Sequence, residues 1–119
     1  MRIFYSSNGV DPILLDQEER LHWLADALRA MVAVGEGKTF PADVGRSPAP
    51  YDEVLRGLRV RKLNAGATAC HIAEDRWLDL QISDADLDQL CRNLIQLQDG
   101  SHTHLYATPI SIIFEAEDM

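Results

Sequence analysis

Gly57 to Ile82 reads GLRVRKLNAGATACHIAEDRWLDLQI, and its alternation decides the fold. Leu58 and Val60, then Cys70 and Ile72, then Leu78, Leu80 and Ile82 fall two apart with polar residues between them, the period of strands buried on one face. With Asn64-Ala65-Gly66 and Glu74-Asp75-Arg76 as three-residue loops, three antiparallel strands follow. Leu58 then opposes Ile72, Val60 opposes Cys70, and these two oppose Leu78 and Leu80, so every pair on that face is apolar. The other face carries a row of Arg59, His71 and Asp79, flanked by Arg61, Ala69 and Gln81.

An apolar sheet face needs a cover, and two amphipathic segments supply it. Upstream, a helix is expected to open at Asp16, with Glu19 at the capping-box position and Leu21, Leu24, Ala25, Leu28, Met31 and Val32 as one stripe that ends at Gly35 and Gly37. Downstream, Ser83 caps a second helix, with Asp86 at the box position and Leu87, Leu90, Cys91, Leu94 and Leu97 as its stripe. Leu21, Leu24, Ala25 and Leu28 return as Leu87, Leu90, Cys91 and Leu94 at one constant offset, which suggests an internal duplication.

Met1 to Tyr5 reads as a short strand closed by Ser6-Ser7-Asn8-Gly9 and Asp11-Pro12, and Pro109 to Phe114 holds the last strand. Lys38 to Pro50, with Pro41, Gly45, Pro48 and Pro50, reads as a surface loop, and Tyr51-Asp52-Glu53 as a short helical turn. The expectation is one α+β domain over residues 1–119: a two-layer sandwich, a mainly antiparallel sheet with both helices on one face, in the order β-α-β-β-β-α-β.

The net charge of −8 is unevenly placed. Residues 1–66 hold nine Lys/Arg and nine Asp/Glu, whereas residues 67–119 hold two basic residues, Arg76 and Arg92, against ten acids. Such a field repels phosphate backbones and steers in a basic protein, so direct nucleic-acid binding is not expected. No apolar run is long enough for a membrane span or a signal-peptide core, so a cytoplasmic location without membrane attachment is expected. Two cysteines, Cys70 and Cys91, both in apolar stripes, read as reduced and buried.

Three groups are candidates for chemistry or contact. In Ser101-His102-Thr103-His104-Leu105, His102 and His104 share one face of an extended chain. With Asp99 they form the runner-up metal set; the plainer alternatives are that one ring caps the preceding helix or bonds loop carbonyls, or that the pair meets a partner. Arg59, His71 and Asp79 form a charge-tuned row with no nucleophile beside it, which reads as a polar or partner-facing sheet face. Trp23 lies nearly opposite the core stripe of its helix, near Ala27 and Ala30, either under the proline-rich loop or at a partner or homodimer interface. Trp77, at the hairpin tip, raises the same question.

From Tyr51 onward, Leu78-Asp79-Leu80-Gln81-Ile82, the helix with Leu87, Leu90 and Leu94, and His102-Thr103-His104-Leu105 before a terminal apolar strand carry a likeness. The layout resembles the small α+β immunity-protein families of bacterial polymorphic-toxin systems, although Tyr106-Ala107-Thr108 makes a tighter link than theirs. The resemblance implies a binding protein, not an enzyme, that blocks the active site of a cognate basic toxin without a cofactor. The contact residues expected are Trp77, Asp79, Asp84, Asp88, Asp99, His102 and His104. A metal-binding module or metal-dependent enzyme using His102 and His104, and a structural or regulatory homodimer, stand as the alternatives.

Overall fold

Trp77–Ile82 lies between Gly57–Lys62 and Ala69–Ile72, with the first of these parallel to it, so the expected antiparallel meander is not what forms. The computed structural model describes residues 1–7, 11–45 and 51–118; Asn8-Gly9 of the first expected turn and 46–50 of the expected loop lie outside them. The elements are β1 (Arg2–Tyr5), β2 (Ile13–Asp16), α1 (Glu18–Arg29), β3 (Gly37–Pro41), β4 (Glu53–Val54), β5 (Gly57–Lys62), β6 (Ala69–Ile72), β7 (Trp77–Ile82), α2 (Asp84–Gln96), β8 (His102–Leu105), β9 (Thr108–Pro109) and β10 (Ile112–Ala116). They build an α+β fold of two helices and two mixed five-stranded sheets, ordered β4-β1-β2-β10-β8 and β3-β5-β7-β6-β9. The single sheet and the order β-α-β-β-β-α-β are thereby corrected.

The hairpin β6–β7 keeps the expected register, Cys70 with Leu80, His71 with Asp79 and Ile72 with Leu78. Only β5 changes neighbour: Leu58 lies beside Leu78 and Val60 beside Leu80. Alternation fixes which face is buried but not which strand is adjacent, because every member of the set presents the same apolar face. Charge favours the observed order, since Asp79 now stands between Arg59 and His71, whereas the meander would put the guanidinium beside the imidazole.

The sheets exchange strands between the two halves of the chain. After β1 and β2, α1 leads to β3 in the second sheet; after β6 and β7, α2 leads to β8 in the first. In each sheet an antiparallel hairpin, β1–β2 or β6–β7, pairs in parallel with a strand of the other half, β10 or β5, which is itself antiparallel to β8 or β3. The helices meet through the repeated stripe: the Cys91 thiol lies 3.5 Å from the Ala25 carbonyl oxygen, 66 positions earlier. One core joins both sheets and both helices, with Ile3, Leu14, Phe114, Leu58 and Leu78 fully buried in it. Truncating one of these leucines to alanine costs about 2–5 kcal/mol. Cys70 and Cys91 are free and buried, and burial pushes the Cys70 thiol up to about 12.

Local departures have local causes. Asp16 ends β2 instead of capping α1, because its carboxylate is drawn to the Met1 amino group (3.4 Å) and to Arg20 (3.3 Å); Gln17 takes the cap position without a side-chain bond. The helix stops at Arg29, and Val32, expected in the stripe, is 80% exposed, its N–H donating to the Glu36 carboxylate (3.1 Å). Lys38–Pro41 is an edge strand on β5, and Glu53–Val54 pairs with β1 where a helical turn was expected. At the second helix Ser83 caps as predicted, accepting from the Asp86 N–H (3.3 Å), but the Asp86 carboxylate takes the buried Thr68 hydroxyl in place of the reciprocal backbone bond. No helix among the described residues is long and apolar enough to cross a membrane.

Candidate functional site

The expected contact residues separate into four places. On the outer face of β5, β6 and β7, Arg59 is the hub. Its Nε lies 2.5 Å from Asp79 Oδ1, and Nη1 and Nη2 bond the two oxygens of Asp75 at 2.9 and 3.0 Å, a bidentate pair. Its guanidinium also stands over the Trp77 ring, 5.4 Å from the centroid. His71 Nε2 lies 3.6 Å from the other Asp79 oxygen. Arg59 thus holds the Asp75 carboxyl below its ordinary value, while Asp79 and Asp75 raise that of the guanidinium. Trp77 and Asp79 are therefore brought together as a preset platform. Asp75 was missed, although its place at the hairpin tip beside Trp77 was the available signal.

The histidines share the outward face of β8, as expected. The His102 and His104 rings meet edge to face at 5.2 Å, and Tyr106 stacks on His104 at 5.8 Å. Across the strand pair His102 opposes Glu115, and His104 opposes Ile113. Neither ring closes the preceding helix. The histidine that reaches that end is His22 of α1, whose Nε2 lies 3.2 Å from the Leu97 carbonyl oxygen, while Ser101 Oγ ties the turn to Gln98 at 2.6 Å. Among the described residues no group of three His, Cys, Asp or Glu is placed to hold a metal ion.

Asp99, expected as third ligand of that pair, joins a different group. It lines a hollow with Glu18, Glu19 and His22 of α1, and the Asp118 carboxyl lies close above neighbouring Gly100. Glu18, Glu19, Asp99 and Asp118 form no ion pair among the described residues, in contrast to three other acids expected to meet a partner. Asp79 is held by Arg59, Asp84 by Lys62 (2.9 Å) and Asp88 by Arg92 (2.9 Å). Glu18 and Glu19, from the half whose charges balance along the chain, complete the acidic corner, which a count of acids by chain position does not reveal.

Trp23 is 60% exposed and packs edge-on against Phe40 at 6.2 Å. Phe40 is thus the contact that the expected loop supplies, and it does so from an edge strand. Between α1 and β3 runs a groove of about 590 Å³, floored by Trp23, Leu24, Ala27 and Phe40 and flanked by Arg20 and Lys38. Comparison with protein-family profiles, curated proteins and solved structures finds no match for this chain.

Proposed function

We propose that this protein is a binding protein of the immunity type, which neutralises a basic bacterial toxin in the producing cell's cytoplasm by covering its active site, with no turnover of its own. The observation that carries this reading is the acidic corner. Glu18 and Glu19 from the start of α1 and Asp99 from the turn after α2 line one hollow, Asp118 lies near the adjoining Gly100, and none of the four forms an ion pair among the described residues. Charge left uncompensated at one place acts at a distance on a basic partner, raising the rate of encounter and suppressing acidic competitors. Toxins that attack nucleic acid carry basic clefts, and such a corner complements them.

On this reading Asp99 is a direct contact. Trp77 and Asp79 add a rigid second patch through Arg59, and Asp84 and Asp88, already neutralised by Lys62 and Arg92, contribute little. The test is to mix the purified protein with the product of the adjacent large gene. A one-to-one complex is expected at low ionic strength, weakening as salt rises, with Glu18→Lys and Asp99→Lys together slowing association about tenfold or more. Absence of a complex at low salt, or association insensitive to both salt and charge reversal, overturns the reading.

A further inference from the structure

The groove beside Trp23 is independent of the acidic corner, since the two use different sides of α1: Arg20, Trp23 and Ala27 line one, Glu18, Glu19 and His22 the other. We propose that this groove takes an extended, carboxylate-bearing peptide segment of a protein partner, added as a sixth strand to the free edge of β3 with an apolar side chain seated against Trp23 and Ala27.

Register fixes which backbone groups of β3 are paired. The Ala42 N–H donates to the Arg56 carbonyl (2.8 Å) and the Lys62 N–H to the Glu36 carbonyl (3.2 Å), so even-numbered residues of this strand turn their backbone groups toward β5. Gly37, Thr39 and Pro41 turn theirs to the outside, where β3 is the end of its sheet. Two N–H groups and three carbonyls stand ready for a further strand, with Pro41 lacking a donor at one end.

The internal repeat supplies the control. Arg20, Trp23, Leu24 and Ala27 correspond to Asp86, Gln89, Leu90 and Asn93, which line the equivalent hollow between α2 and β8. That hollow is only about 120 Å³, and the positions of Trp23 and Ala27 are taken by a polar pair, Gln89 Nε2 donating to Asn93 Oδ1 at 2.9 Å. The fold therefore does not require an aromatic-floored groove beside its edge strand. The first half nonetheless keeps one and leaves a tryptophan 60% in water, the pattern of an anchor awaiting a side chain.

Charge selects the occupant. Lys38 has no ion-pair partner among the described residues, and Asp16, the carboxylate of the groove, is already engaged by Arg20 and the Met1 amino group. In a chain of net charge −8 this groove presents cations, so the matching segment carries a carboxylate.

The experiment selects a phage-displayed random peptide library on the full-length protein. The expected result is enrichment of extended, β-branched sequences with an acidic residue, and binding of the selected synthetic peptide that shifts the Gly37 and Thr39 amide resonances. Thr39→Pro removes an outward donor while leaving the inward ladder intact, and should weaken that peptide about tenfold or more; Thr39→Val should retain binding and Trp23→Ser lose it. Unchanged thermal melting of each variant separates lost binding from lost fold. Enrichment no greater than on Trp23→Ser, selection of basic sequences, or binding unaffected by Thr39→Pro overturns the proposal. A concentration-dependent dimer abolished by Thr39→Pro also overturns it, naming a second copy as the occupant.

Discussion

The ring of Trp77 fills the space that a side chain on Gly57 would occupy. A Cβ there would overlap the six-membered ring and come within 2.5 Å of the Phe40 carbonyl oxygen. Gly57 is thus required by close approach from two directions: a backbone on one side and an aromatic platform on the other. Gly57→Ala is expected to lift Trp77 off β5 and cost about 1–3 kcal/mol, because the Phe40 backbone cannot yield as a flexible side chain would. Urea unfolding followed by tryptophan fluorescence measures both effects, and an unchanged midpoint with an unchanged emission maximum contradicts this account.

The Arg59 cluster makes stability depend on acid in a definite direction. Hydrogen bonding to Arg59, then its charge, holds the Asp75 carboxyl below its ordinary 3.8. A carboxyl depressed in the folded state contributes stability that is fully present above the unfolded value and is lost as pH falls through the folded one. The melting temperature should therefore drop as pH falls below about 4, and Asp75→Asn should flatten part of that fall by melting modestly lower near neutrality, where Asp79 still holds Arg59, and matching the parent in acid. Parallel melting curves for the two proteins across the acid range would show that Asp75 plays no part.

At the start of α2 three side chains close one network. Thr68 Oγ1 accepts the Ser83 N–H at 3.2 Å and donates to the Asp86 carboxylate, and Ser83 Oγ accepts the Asp86 N–H at 3.3 Å. Ser83→Ala should cost about 1 kcal/mol as the loss of a cap. Thr68→Val should cost more, about 1–3 kcal/mol, because Thr68 is only 4% exposed and its removal leaves the Ser83 N–H and Asp86 without their partner. Chemical denaturation of the two variants ranks them, and a Thr68→Val protein as stable as the parent refutes the network.

Local chemistry was legible in the sequence where a single residue decides it. Ser83 announced its cap and the two leucine stripes announced their helices, whereas the contact between the stripes, Cys91 on Ala25, was not foreseen. The β6–β7 hairpin kept its register because a three-residue tip and two apolar pairs leave one solution. The neighbour of β5 was not legible, since Leu58 and Val60 match Ile72 and Cys70 as well as Leu78 and Leu80. The opposite face held the deciding information, because Arg59 gains Asp79 in one order and His71 in the other. The candidate site divided in the same way: the facing of His102 and His104 follows from a period of two, whereas Asp99 meeting Glu18 depends on how distant elements pack. Lys38–Pro41 was hidden because a proline tolerated at a sheet edge looks the same in sequence as one that breaks a strand.

The exchange of strands between halves has a direct consequence for folding. Residues 1–66 supply β1, β2 and β4 to one sheet and β3 and β5 to the other; the remainder supplies β8 and β10 to the first and β6, β7 and β9 to the second. Each half alone would leave two long strand edges unpaired, β2 and β5 or β7 and β10, and would expose the face of its helix where Ala25 meets Cys91. A chain cut between Gly66 and Ala67 should therefore give two fragments that melt without cooperativity when separate. Mixed, they should recover a one-to-one complex with the circular dichroism of the intact protein, because every lost ladder runs between them. A fragment 67–119 that unfolds cooperatively by itself would mean that this half carries its own core and that pairing of β10 with β2 and of β7 with β5 is not needed to complete it.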